Sequence, residues 1–185
     1  KDAARRLLTL PEFSRGWIMI NPAGGRNPGM VMDSKRYPPA QLAELANRLY
    51  ARYGLPYVLI GAKTDQLILD ALTAGLHAPY QVFAGELSFQ QIAALAASSR
   101  AYIGNDTGMT HLAASAGAKT IMILGPTDPA RYAPFSPPNQ SLALWKASAV
   151  AARGVAAGES TGWDWAKDGI SVSEAYAAIR VFLGE

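Results

Sequence analysis

At 185 residues, half of them hydrophobic, the chain has the length and composition of one globular domain with a sizeable core rather than of a disordered segment. Its net charge of +3, from 17 basic and 14 acidic residues scattered along the sequence, is too weak and too dispersed to argue for nucleic-acid binding. The absence of cysteine excludes disulfides and thiolate metal sites, and neither a signal-peptide pattern nor an apolar run near the ~20 residues of a membrane span occurs, so the expected location is cytoplasmic.

The chain opens at Lys1 directly in a helical pattern. Residues 2–10 carry Ala, Arg and Leu at helical spacing and stop at Pro11. The stretch 1–15 reads as a linker helix from a preceding domain, so the expectation is a piece of a larger protein. Residues 16–20 are a short apolar run bounded by Asn21 and Pro22, the first buried strand. Residues 21–38, rich in Gly, Pro and Asn, read as a loop without structure, long for a strand-to-helix connection and usual for a functional one. Pro22-Ala23-Gly24-Gly25 lacks the spacing of a Walker A sequence, which removes a nucleoside-triphosphatase reading. Glycines still let a backbone approach an anion, and Lys35 is either a point charge for a phosphate or an ordinary solvated lysine.

Residues 39–53 place Leu42, Leu45, Ala46 and Leu49 three and four apart, a helix with Pro in its first turn that ends at Gly54. Residues 55–60 are the next buried strand, and 61–65 its carboxyl-end turn, with Thr64 as the expected cap. Asp65 has a second reading, as an acidic group placed to bond paired ribose hydroxyls. A helix over 66–74 and a strand over 80–83 follow. Ser88 with Gln91 three residues on is a capping-box pattern that starts a helix over 89–97, and Leu87 reads as a hydrophobic staple against it.

The centre of the sequence is 102–127, with the order strand, tight turn, helix, strand. An open parallel sheet binds ligands at the carboxyl ends of its strands, and a helix N-terminus there offers free N–H groups, so Asp106, Thr107 and Gly108 sit where chemistry is expected. The competing reading is that Asp106 or Thr107 is only an N-cap. Residues 125–129 are a turn-rich loop, 141–146 an edge strand, and 147–168 a weakly ordered insertion with no assigned role. Ser171 and Glu174 form a second capping box for a final helix over 174–183. Regular alternation of strand and helix gives an α/β fold, a parallel sheet with helices on both faces. Carboxylates and histidines are not clustered, so no metal site is expected.

The string Asp-Thr-Gly-Met-Thr-His-Leu-Ala-Ala-Ser-Ala-Gly from Asp106, followed by Ile-Met-Ile-Leu-Gly-Pro-Thr-Asp-Pro from Ile121, resembles the bacterial heptosyltransferases, which move heptose from ADP-heptose to the lipopolysaccharide inner core. Lys35-Arg36-Tyr37-Pro38 is similar to the K-x-W-P stretch of that family, with Tyr in place of Trp, and the resemblance runs from about Trp17 to Ser136. It implies a Rossmann-like open parallel sheet, 16–185, forming the C-terminal, donor-binding half of a two-domain GT-B glycosyltransferase. It implies ADP-heptose as donor and no cofactor. The lipopolysaccharide-core acceptor and the general base would belong to an N-terminal domain absent from this sequence, and peripheral contact with the inner face of the inner membrane is part of the same expectation. The donor-binding residues it implies are Ala23, Gly24, Lys35 on the diphosphate, Asp65 on the ribose, Leu87 beside the adenine, Asp106 on sugar hydroxyls, and Thr107 and Gly108 with their N–H groups. His111, in the same loop pattern, reads as a support to the site or, preferably, as a core histidine. Two other classes stay open: a dinucleotide-binding oxidoreductase module, weakened because no G-x-G-x-x-G follows a strand, and a non-catalytic nucleotide-binding domain, because fold does not fix function.

Overall fold

The structure is a computed structural model that describes residues 6, 7, 9–24, 26, 27, 30–149 and 162–184. Its strands are β1 (Ile18–Asn21), β2 (Arg26–Asn27), β3 (Met30–Val31), β4 (Tyr57–Gly61), β5 (Tyr80–Ala84), β6 (Ala101–Asn105), β7 (Thr120–Ile123) and β8 (Ser141–Leu144). The helices are α1 (Pro39–Tyr53), α2 (Gln66–Thr73), α3 (Phe89–Ser98), α4 (Gly108–Ser115), α5 (Pro129–Tyr132), α6 (Trp165–Asp168) and α7 (Val172–Leu183).

Six strands form one parallel sheet in the order β5-β4-β1-β6-β7-β8. The chain therefore winds outward from β1 in one direction, returns, and winds outward in the other, which is the doubly wound Rossmann order. The order reverses between β1 and β6, where Asn21 pairs in register with Gly104. Loops leave that point in opposite directions and open a crevice at the strand ends.

Side-chain alternation explains both covered faces. Ile18 and Ile20 of β1, with Tyr57 and Leu59 of β4, face a core completed by Leu45 and Leu49 of α1, Leu72 of α2 and Ile179 of α7. Met19, Val58, Ile60 and Tyr102 point the other way, onto Ile92 and Leu95 of α3 and Ala113 of α4. Because β1, β6 and β7 are buried on both faces, they read in sequence as unbroken apolar runs. Each fully buried Leu or Ile contributes about 1.5–3 kcal/mol.

Ends of helices follow their caps. Ser88 accepts the Gln91 N–H at 3.3 Å while the Gln91 side chain accepts the Ser88 N–H at 2.9 Å. Ser171 and Glu174 do the same for α7, and the Ser171 hydroxyl and N–H hold the Glu174 carboxyl below its ordinary range.

Several expectations need correction. The loop over 21–38 is not structureless: β2 and β3 form an antiparallel hairpin and Asp33–Lys35 a 3-10 turn. Thr64 does not cap its turn, because it lies inside the 3-10 turn Lys63–Asp65 whose cap position is Ala62; Asp65 instead reaches back and accepts the Ala62 N–H at 2.8 Å. Of the insertion expected over 147–168, residues 150–161 lie outside the described residues, but α6 is built into the fold. Asp164 caps it, and the Trp165 ring packs edge-on against Tyr37 with centroids 5.2 Å apart. Of the expected linker stretch 1–15, residues 6 and 7 are helical and Pro11–Phe13 forms a 3-10 turn, and Leu7 and Phe13 are buried in the second core; residues 1–5 and 8 lie outside the described residues. No helix among the described residues is long and apolar enough to cross a membrane.

Candidate functional site

A cleft of about 560 Å³ lies at the carboxyl ends of β1, β4, β5 and β6. Ala23, Gly24, Lys35, Asp65, Leu87, Asp106, Thr107, Gly108 and His111 all line it, although they come from five separate stretches of sequence.

The framework is a buried amide. Asn105, 2% exposed at the end of β6, donates from Nδ2 to the carbonyls of Pro22 at 2.9 Å and Ala23 at 3.0 Å, and its Oδ1 accepts the Tyr37 N–H at 3.0 Å. One side chain thereby ties the loop after β1 and the Lys35 turn to the switch point. Asn21, also buried, accepts the Ala23 N–H at 3.0 Å. These four bonds satisfy groups that would cost about 1–3 kcal/mol each if buried unpaired.

Gly24 closes the gap between the two loops. Its φ is +148°, and a Cβ there would lie 2.7 Å from Thr107 Cγ2. The backbone at Gly24 can approach Thr107 only because no side chain intervenes. Arg36 Nε donates to the Gly24 carbonyl at 2.7 Å and the same guanidinium pairs with Asp33, so the cationic turn is fastened to the glycine loop. Behind the turn, a Cβ on Gly125 would strike the Ser34 carbonyl, so the Gly-Pro-Thr-Asp-Pro loop supports Lys35 from below. Tyr37 is fully buried there, and burial, with the charges of Glu44 and Glu174, pushes its phenol up to about 12.

Lys35 Nζ lies 2.7 Å from Asp106 Oδ2, with side-chain exposures of 14% and 6%. The ammonium also stands 5.0 Å from the centroid of the Tyr132 ring. Asp106 is thus not the N-cap of α4. Thr107 occupies the cap position, but its hydroxyl caps nothing and lies 3.4 Å from the Thr110 hydroxyl instead. The N–H groups that open a helix have no intrahelical partner, so the Gly108 end of α4 presents donors and a positive dipole end to the cleft. His111 is exposed on the cleft wall, which overturns the core-histidine reading: it lies on the outer face of α4, whose inner face buries Thr110, Ala113 and Ala114. Leu87 is half-buried, packs against the second core and lines the cleft.

Sequence reasoning missed three residues. Asn105 organises the site, but a buried strand-end amide is recognisable only from its three partners. Tyr132, on the short helix that Asp128 caps, reaches the cleft from the far side of the sheet. Phe89 lines the opposite end and is 64% exposed, a large apolar side chain that a helix-start pattern does not single out.

A parallel sheet in this strand order, with a crevice at its switch point, defines the class of doubly wound, Rossmann-like α/β domains. Within that class, the chain belongs to glycosyltransferase family 9 (heptosyltransferase), which matches residues 1–150. It is 33% identical over 109 residues to lipooligosaccharide heptosyltransferase 2 of Haemophilus ducreyi, an alignment covering 56% of this chain and 31% of that protein. The fold recurs in Escherichia coli ADP-heptose LPS heptosyltransferase II, with a TM-score of 0.73 at 22% identity over 98% of this chain and 50% of that one. It recurs also in an E. coli heptosyltransferase solved with ADP, with a TM-score of 0.67 at 21% identity, 97% of this chain and 48% of that one. The chain thus spans about half the length of these solved relatives.

Proposed function

We propose that this chain is the donor-binding part of a heptosyltransferase and that its cleft holds ADP-heptose for transfer to a lipopolysaccharide-core acceptor. The observation that carries the reading is the Lys35 ammonium held beside the uncapped N-terminus of α4 at the mouth of the switch-point crevice. Displacing a sugar from a diphosphate builds negative charge on the leaving group, and fixed donors in a partly dry cleft stabilise it at little reorganisation cost. Lys35 and the N–H groups of Thr107, Gly108 and Met109 are the donors assigned to the diphosphate. Asp106 is assigned to the sugar hydroxyls, once a phosphate takes its place beside Lys35. Asp65 retains a second carboxylate oxygen for the ribose after accepting the Ala62 N–H. Ala23 and Gly24 bring backbone to the diphosphate, Leu87 contacts the adenine, and His111 supports the sugar end from the outer face of α4. The acceptor and the base that activates it are assigned to a separate N-terminal domain.

Calorimetry on the purified chain tests this reading. ADP and ADP-sugars are expected to bind, and to bind more tightly than UDP-sugars, since the turn over 85–88 resembles an adenine-binding one. Equal or reversed preference would overturn the assignment of the nucleotide. Binding of nicotinamide dinucleotides in place of ADP would favour the oxidoreductase class.

A further inference from the structure

The cleft is chemically two-ended. At one end Lys35, ion-paired with Asp106, stands beside Thr107 and Gly108 at the donor-rich start of α4. Toward β4 and β5 the lining includes the apolar Ile60, Ala62, Leu87, Phe89 and Ile92, with Thr64 and Asp65 beside them. Ile60 and Ile92, 2% and 9% exposed, form a floor that belongs to the core. Phe89 is different: it is 64% exposed and belongs to neither core cluster, so the fold does not need its ring. Its backbone is nonetheless held firmly, as the first residue of a helix whose start is locked by the reciprocal Ser88 and Gln91 bonds.

A ligand that fits both ends carries a flat apolar ring at one and phosphates at the other. From this, and resting on the donor-binding reading above, we infer that Phe89 is the stacking face for the donor's nucleobase, at the apolar end of the cleft. The aromatic ring covers one face of the base while Leu87 and Ile92 border it. Stacking of a base on an aromatic side chain tolerates any base, because every base has a π-face. A two-ring purine covers more of the Phe89 ring than a pyrimidine does, so the residue sets affinity and adds to the preference for ADP over UDP.

The test is calorimetry of the wild-type chain, Phe89→Ala and Phe89→Trp against ADP, UDP and inorganic pyrophosphate. Phe89→Ala is expected to weaken ADP by about 5- to 150-fold, the span of one lost base–aromatic stack. UDP should weaken less and pyrophosphate not at all, and Phe89→Trp should restore ADP binding. An ADP affinity within about twofold of wild type in Phe89→Ala would overturn the inference, and so would equal losses for ADP and pyrophosphate, which would mark a general disturbance of the cleft. A wild-type chain that fails to bind ADP would instead overturn the donor-binding reading itself, so the two failures are distinguishable.

Discussion

Lys35 and Asp106, 71 residues apart in sequence, form a 2.7 Å ion pair at the mouth of the cleft. The pair is mostly shielded from water, so removing one partner leaves the other as an uncompensated, poorly hydrated charge and is costly. On the proposed donor-binding reading, a diphosphate would compete with Asp106 for the same ammonium, and binding would be an exchange of anions around Lys35.

Removing the cation should accordingly be felt in phosphate binding. Lys35→Ala is expected to weaken ADP by roughly 1.5–3 kcal/mol, the range for a charged hydrogen bond. Wild-type binding should fall with added salt and ignore EDTA. Titration calorimetry across a salt series checks this, and wild-type affinity in the variant would reduce Lys35 to a structural partner of Asp106.

Gly24 offers a steric test of the framework. Gly24→Ala puts a Cβ 2.7 Å from Thr107 Cγ2 at a φ of +148°, so the loop and the start of α4 must part. A stability loss of about 1–3 kcal/mol is expected in chemical denaturation, with weaker ADP binding alongside it. Unchanged stability with unchanged binding would show that the two loops are not in this contact.

The buried phenols set the alkaline limit of the fold. Tyr37 is pushed up to about 12, and burial pushes Tyr57 and Tyr102 up as well, so the folded state keeps protons that the unfolded chain releases near pH 10. The stability linked to these groups is complete below about pH 10 and falls as pH rises above it, at about 1.4 kcal/mol per unit for each group still protonated. Of the eight tyrosines, three should stay silent in a tyrosinate absorbance titration until the protein unfolds. All eight ionising together in still-folded protein would refute the buried placement.

Transfer is expected to need more than this wall. An acceptor hydroxyl requires a base within about 3 Å on the side opposite the leaving diphosphate. Here Asp106 is engaged by Lys35, one Asp65 oxygen by Ala62, and every assigned group projects from the strand-end side of one sheet. Incubation of the chain with ADP-heptose and a lipopolysaccharide-core acceptor should yield no heptosylated product. Enzyme-dependent product, traced by mass spectrometry, would mean that the cleft supplies its own base, with the exposed His111 as the first candidate.

The sequence alone determined what depends on near neighbours. Buried strands announced themselves as apolar runs because a parallel sheet covered on both faces leaves no polar side, and Ser88, Ser171 and Pro39 marked helix starts because capping is a contact within one turn. The family strings marked Lys35 in the loop after β1 and Asp106, Thr107 and Gly108 at the end of β6. Only the tertiary structure decided which group meets which. Asp106 was equally suited to capping α4 or bonding a ligand until the Lys35 turn was set against it, and His111 became a cleft residue only when the inner face of α4 was filled by Thr110, Ala113 and Ala114. Asn105 binds Pro22, Ala23 and Tyr37 across gaps of 83, 82 and 68 residues, and Trp165 packs against Tyr37 from the far end of the chain. Such partners leave no spacing in a sequence, because the distance between them is fixed by strand order and not by chain length.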